Sequence, residues 1–179
     1  MVRKKNGTKA TISSPVSKET GCPVARALSI VGDRWTVLVL RELTMGNRCF
    51  EEIQAQTGAT PQMLAARLKK LESDRLVERR LYSTRPLRHD YYLTEAGLAF
   101  YPVLLALRSW GETWLKSEKE ERAIHYTHIP CGQDPGLGPV CEYCGGEMRQ
   151  DQLVARFSEA FARERDARKA AFKAARAQN

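Results

Sequence analysis

The chain is 179 residues long, with 29 Lys and Arg against 21 Asp and Glu and a formal net charge of +8. That length suits one domain with extensions or two small ones, and the charge favours a polyanionic partner over an acidic small substrate. No stretch approaches the roughly 20 apolar residues of a membrane span, and the polar, charged start has no apolar run behind it. The expectation is therefore a cytoplasmic protein with no membrane partner. Its five cysteines are then ligands, reactive thiols or small core residues rather than a disulfide framework.

Residues 1–20 carry five basic groups and one acidic group and no large apolar cluster, which predicts a disordered basic arm. Order is expected from Gly21. Cys22 before Pro23 fits the N-cap of a short helix over 23–31, stopped by Gly32. Asp33 caps a second helix, about 34–44, with Trp35, Leu38, Val39 and Leu43 as its apolar face. A third short helix runs from Phe50 to Gln56, with Glu51 and Glu52 in the first turn, where the helix dipole favours acids. Thr57-Gly58-Ala59 is a turn. Thr60-Pro61 opens a fourth helix, about 61–74, with Leu64, Leu68 and Leu71 as a buried stripe.

Leu76–Tyr82 and His89–Leu93 read as two strands joined by the loop Ser83–Arg88. Thr94 caps a long helix from Glu95 to about Lys119, bent or weakened at Pro102 and Gly111. A Cys-, Gly- and Pro-rich segment follows, and residues 149–179 read as a basic helix with Leu153, Phe157 and Phe161 on one side. The fold class is mainly α with a small β-hairpin wing. It comprises a winged helix-turn-helix and dimerisation domain over 21–119, a zinc-ribbon-like Cys/His knuckle over 120–148 and the C-terminal helix.

Two helices around a short turn, the second capped by Thr-Pro, form a helix-turn-helix. Opposite its buried stripe the fourth helix presents Gln62, Met63, Ala66, Arg67 and Lys70. Gln and Arg pair bidentately with adenine and guanine edges, and a small Ala lets the helix approach a groove. Lys69 and Lys70 suit phosphates, and Thr60 stands at a helix N-terminus that attracts one. The same face also fits an ordinary amphipathic surface helix.

The blocks CPVARALSIVGDRWTVLVLRELTMGNRCFEEI, TPQMLAARLKKLESDRLVERR, HDYYLTEAG and LRSWG, in that order, resemble the HxlR-type winged helix-turn-helix regulators, MarR-related dimeric transcription factors of bacteria and archaea. The resemblance covers roughly residues 21–115. It implies double-stranded DNA as partner and a homodimer held by the first helix and the long helix over 95–117. It also implies a wing whose Arg88 enters the minor groove. Arg85 stands where the family more often has an apolar residue. Trp110 and Trp114 belong either to the dimer interface or to the monomer core.

At an N-cap, with Arg26 one turn on, the Cys22 thiol feels a helix dipole and a cation, both of which favour thiolate. The resemblance places Cys22 at the position that responds to oxidants or electrophiles in some family members. Cys49, beside a second helix start, is a candidate redox partner. Both also fit as inert small residues. Downstream, His128-x2-Cys131-x9-Cys141-x2-Cys144, with Gly132 and Gly145 after the second ligand of each pair, matches a closed Cys3His set for structural Zn2+. A metal-free loop or a disulfide is the competing reading.

The expectation is a sequence-specific DNA-binding regulator, a repressor, with an effector still to be identified. The alternative is a zinc-stabilised protein- or RNA-docking adaptor on a winged-helix scaffold. An enzyme is not expected, because neither His89 nor His125 stands in a Cys-His arrangement.

Overall fold

The computed structural model describes residues 20–117 and 119–178. The basic arm expected over 1–20 lies, Thr20 apart, outside the described residues.

Helices α1 (Pro23–Val31), α2 (Arg34–Thr44), α3 (Phe50–Thr57) and α4 (Pro61–Ser73) come first. Side-chain caps fix the starts of α2 and α4. Asp33 Oδ1 accepts from the backbone N–H of Trp35 and Thr36, both at 3.1 Å, and Thr60 Oγ1 accepts from that of Met63 at 3.3 Å. Each cap satisfies donors that a first turn leaves orphaned. The core is made by Val39, Leu40 and Leu43 of α2, Ile53 of α3, and Leu64, Leu68 and Leu71 of α4, closed by Leu76 and Val77. Full burial of each large aliphatic side chain stabilises the fold by about 1.5–3 kcal/mol.

Strands β1 (Val77–Thr84) and β2 (Leu87–Leu93) pair antiparallel, from Val77 opposite Leu93 to Thr84 opposite Leu87. The hairpin is thus longer than expected. Its turn is only Arg85-Pro86, joined by a cis peptide, rather than all of Ser83–Arg88.

The long helix expected from Glu95 to Lys119 is two helices, α5 (Glu95–Leu98) and α6 (Tyr101–Trp114). Pro102 explains the break. Inside a continuous helix its ring would clash with the carbonyl of Leu98 and it could donate no hydrogen bond. When the chain restarts at Tyr101, Pro102 falls in a first turn, where no donor is needed.

The tail also departs from expectation. Residues 149–158 are not α-helical: Gln150–Gln152 form a short 3-10 helix, and β4 (Leu153–Phe157) pairs antiparallel with β3 (Ile124–His128). Leu153 and Phe157, four apart, satisfy the strand period of two as well as a helical one. The partner strand decides between them. Only then does α7 (Glu159–Ala177) begin, capped by Ser158 Oγ at 3.2 Å from the Phe161 N–H. The knuckle is therefore enclosed between two paired strands. It meets α6 through a second apolar cluster of Tyr101, Leu105, Cys141 and Met148.

Helix α7 folds back over the helix-turn-helix. The buried Arg165 guanidinium donates through Nη2 to Glu42 Oε2 of α2 at 2.7 Å and through Nη1 to Oε1 at 3.1 Å. Gln56 Nε2 of α3 donates to the Arg165 carbonyl at 2.9 Å, and Arg168 Nη1 donates to the Gln56 carbonyl at 3.0 Å.

Candidate functional site

Helix α4 buries Leu64, Leu68 and Leu71 and exposes Gln62, Ala65, Ala66, Lys69 and Ser73. This ridge is rotated from the face expected above. Met63 is half-buried and packs on the core. Arg67 leans toward the start of α2, where its Nε donates to Asp33 Oδ1 at 3.0 Å. Lys70 Nζ donates to Asp74 Oδ2 at 2.6 Å. Of the expected face, Thr60, Gln62, Ala66 and Lys69 are open, while Met63, Arg67 and Lys70 sit on its flanks with partners of their own. Ala65 and Ser73 were missed. The buried stripe placed them within reach of the open side, but which flank α2 covers is not written in the helix itself.

At the wing tip Arg85 and Arg88 are both exposed. The wing is tied to the helix-turn-helix at its base: the Tyr91 N–H donates to the Arg48 carbonyl at 2.9 Å, and Cys49 forms a β-bridge with Asp90. Helix, turn and wing thus form one braced unit.

The two lone thiols differ. Cys22 is exposed at the N-cap of α1 without a side-chain cap bond, and Arg26 turns its Nε to the Thr20 carbonyl at 2.6 Å. Cys49 is half-buried at the N-cap of α3. Burial pushes its thiol up. The Glu52 backbone hydrogen bond opposes this, and the Glu52 and Glu51 carboxylates add to it. A raised thiol carries less of the nucleophilic thiolate, so this setting disfavours reactivity at Cys49.

The knuckle brings its four candidates together. The ligand atoms of His128, Cys131, Cys141 and Cys144 all lie within 4.8 Å of one another. His128 Nδ1 is 3.3 Å from Cys144 Sγ and 3.4 Å from Cys131 Sγ, and Cys131 Sγ is 3.8 Å from Cys141 Sγ. Gly132 and Gly145 adopt φ of 69° and 70°, the left-handed conformation that closes each tight turn and that side chains resist. Burial raises the Cys141 thiol, but the backbone N–H groups of Cys144 and Tyr143 outweigh it and hold the thiol below its ordinary value. His128 is buried, and its Nε2 has no hydrogen-bond partner among the described residues. This is a cluster able to coordinate a metal ion. His125 stands outside it, beside Glu121 at 3.2 Å.

Trp110 and Trp114, 56% and 72% exposed, project from α6 into solvent, so they are not part of the monomer core. With Val24 and Leu28 of α1 and Val103 and Leu107 of α6 they leave a large apolar surface in the open.

Residues 30–119 match the HxlR-like helix-turn-helix family. The chain belongs to the HxlR family. Similar to it is the uncharacterised HTH-type transcriptional regulator Rv3095 of Mycobacterium tuberculosis, 39% identical over 130 residues, which are 72% of this chain and 80% of that protein. The uncharacterised regulator YdeP of Bacillus subtilis is 36% identical over 95 residues, 52% of this chain and 74% of its own. Among solved structures, PA1607, named a candidate transcription factor, superposes with a TM-score of 0.61 at 30% identity, covering 79% of this chain and 97% of that one. That share is more than the matched family segment fills, so the likeness runs into the extension. This HxlR protein is a winged helix-turn-helix transcriptional regulator, and the relatives named are regulators rather than enzymes. No described helix is long and apolar enough to cross a membrane.

Proposed function

We propose that this HxlR regulator binds duplex DNA sequence-specifically as a homodimer and acts as a repressor. The observation that carries the reading is the uncovered ridge of α4 beside an uncovered wing. Gln62 is placed to read a base edge, with Ala65 and Ala66 allowing close approach to the major groove. Lys69 and the α4 N-terminus at Thr60 meet phosphates, Arg67 and Lys70 add positive charge on the flanks, and Arg85 and Arg88 reach the adjacent minor groove. The homodimer is supported by the open apolar face of α1 and α6. An exposed patch of that kind marks an interaction surface, and a two-fold contact would bury it on both copies at once.

The knuckle holds a structural Zn2+ in this reading. Sulfur ligands at about 2.3 Å in a tetrahedron stand about 3.8 Å apart, which the Cys131–Cys141 separation of 3.8 Å matches. His128, Cys131, Cys141 and Cys144 would hold the ion. Bound there, it supplies a cross-link between the two turns and no open coordination position. Cys22 is the thiol placed to respond to oxidants or electrophiles, since it is exposed at the start of α1, next to the apolar face.

Footprinting on the DNA upstream of the chain's own gene, followed by gel shifts, tests this reading. Gln62→Ala is expected to weaken binding by about 1–3 kcal/mol and relax preference at one base pair, while Lys69→Ala weakens all sequences alike. Equal competition by any DNA or RNA would favour the docking adaptor instead. A thiol oxidant is expected to release DNA from wild type and not from Cys22→Ser.

A further inference from the structure

Helix α7 carries six Lys and Arg residues against three Asp and Glu. Its inner face is spent on packing, through Arg165 to Glu42 and Arg168 to Gln56. Further along, Lys169, Lys173 and Arg176 follow one another at spacings of four and three, which puts them on one side of the helix. That side borders an open cleft whose other walls are the first half of α3 and the wing residue Arg88. Four cations there, Arg88, Lys169, Lys173 and Arg176, face two carboxylates, Glu51 and Glu52. Arg176 pairs with Glu51. Lys169 and Lys173 have no ion-pair partner among the described residues.

The position of this cleft matters more than its charge. In helix-turn-helix complexes the first helix crosses the DNA backbone while the second lies in the major groove. Here the first helix is α3, and its start is fixed to the wing by the Tyr91–Arg48 hydrogen bond and the Cys49–Asp90 bridge. On the DNA-binding reading, a strand spanning the groove under α4 and the groove under Arg88 would pass the start of α3. The end of α7 stands there. We infer that Lys169 and Lys173, with Arg176, form a third DNA-contacting element that grips this phosphate strand and carries no base specificity.

The inference rests on the DNA-binding reading above, and salt dependence separates the two. Each phosphate neutralised by a Lys or Arg contributes about 0.9 to the slope of log affinity against log salt. The probe is a fluorescent duplex of random sequence, about 30 base pairs long, titrated between about 50 and 200 mM salt. Lys169→Gln/Lys173→Gln is expected to lower the slope by about 1.8 per protomer, and Lys169→Arg/Lys173→Arg to restore it. Arg156→Gln, exposed on β4 away from α3, serves as the control that leaves the slope unchanged. Lysine acetylation of the wild-type protein, read by mass spectrometry, gives a measurement that no misfolding can imitate. Lys169 and Lys173 should be protected by the duplex and the exposed Lys119 should not. An unchanged slope, a gain in affinity, or undiminished acetylation overturns the inference while leaving the DNA-binding reading intact. Failure of wild type to bind any duplex overturns both.

Discussion

Asp33 joins two tasks in one carboxylate. It caps α2 through the N–H groups of Trp35 and Thr36 and also receives Arg67 from α4. Helix α4 is therefore held at the N-terminus of the helix behind it, and Arg67 is braced rather than free. Partial burial raises the Asp33 carboxyl, but the hydrogen bonds from Thr36 and the charge of Arg67 outweigh that and leave it below the usual carboxylate range. Asp33→Ala is expected to cost about 0.5–2 kcal/mol, as lost caps do. Asp33→Asn keeps a capping oxygen and loses only the charge. Because the folded-state pKa is depressed, the charge-dependent part of the stability is fully present above the unfolded value of about 3.9 and is lost as pH falls through the folded one. Urea unfolding of wild type and Asp33→Asn at a series of pH values should show two curves that converge only in acid. A difference that persists unchanged at the lowest pH would show that Asp33 acts by shape alone.

At the scale of elements, the C-terminal helix is anchored by a buried ion pair, backed by the hydrogen bonds that Gln56 exchanges with Arg165 and Arg168. Glu42 is fully buried, and Arg165 is 7% exposed along its side chain. Asn47 Nδ2 donates to Glu42 at 2.6 Å, and Arg41 Nε at 3.1 Å. The Arg165 guanidinium also lies over the rings of Phe157 and Phe161, 5.2 and 5.6 Å from their centroids. Burial pushes the Glu42 carboxyl up, and the Arg165 hydrogen bond and the Arg41 charge more than reverse it. Removing one partner of such a pair leaves a buried charge exposed to its full desolvation cost. Arg165→Ala is expected to destabilise by about 3 kcal/mol, the lower end for a broken buried pair, because Arg41 and Asn47 remain. Limited proteolysis should then cut α7 well before the winged helix. Equal protection of α7 in wild type and variant would mean that apolar packing alone holds it. This geometry was hidden in the sequence: Arg165 reads there as one of several cations on a solvated helix, and nothing local says that its partner lies in α2.

For the whole molecule, the Cys/His knuckle decides whether the extension is a folded part or a loose one. Purified protein is expected to contain about one Zn2+ per chain. Cys144→Ser should lose it and loosen the β3–β4 pairing while α1–α4 keep their melting behaviour, because the two regions have separate apolar clusters. Hydrogen exchange reads both regions in one experiment. Full protection of β3 and β4 without metal would make the knuckle a metal-independent fold.

What the sequence determined by itself are features carried by neighbours in the chain. Caps at Asp33, Thr60 and Thr94, the leucine stripe of α4, the paired strands of the wing and the two glycine-closed turns of the knuckle were all legible. Each follows from backbone chemistry within a few residues. The candidate metal ligands were legible for the same reason, since each pair lies on a single turn. What only the tertiary structure decided is which flank of α4 is open, that Leu153–Phe157 is a strand, and that α7 lies beside α3 and the wing. Those outcomes depend on contacts between residues far apart in the chain: Arg67 with Asp33, His128 with Leu153, and Arg165 with Glu42. A residue's own periodicity cannot choose between two partners that satisfy it equally. Leu153 and Phe157 fit a helix and a strand alike, and only Ile124–His128, arriving alongside, supplies the hydrogen bonds that select one.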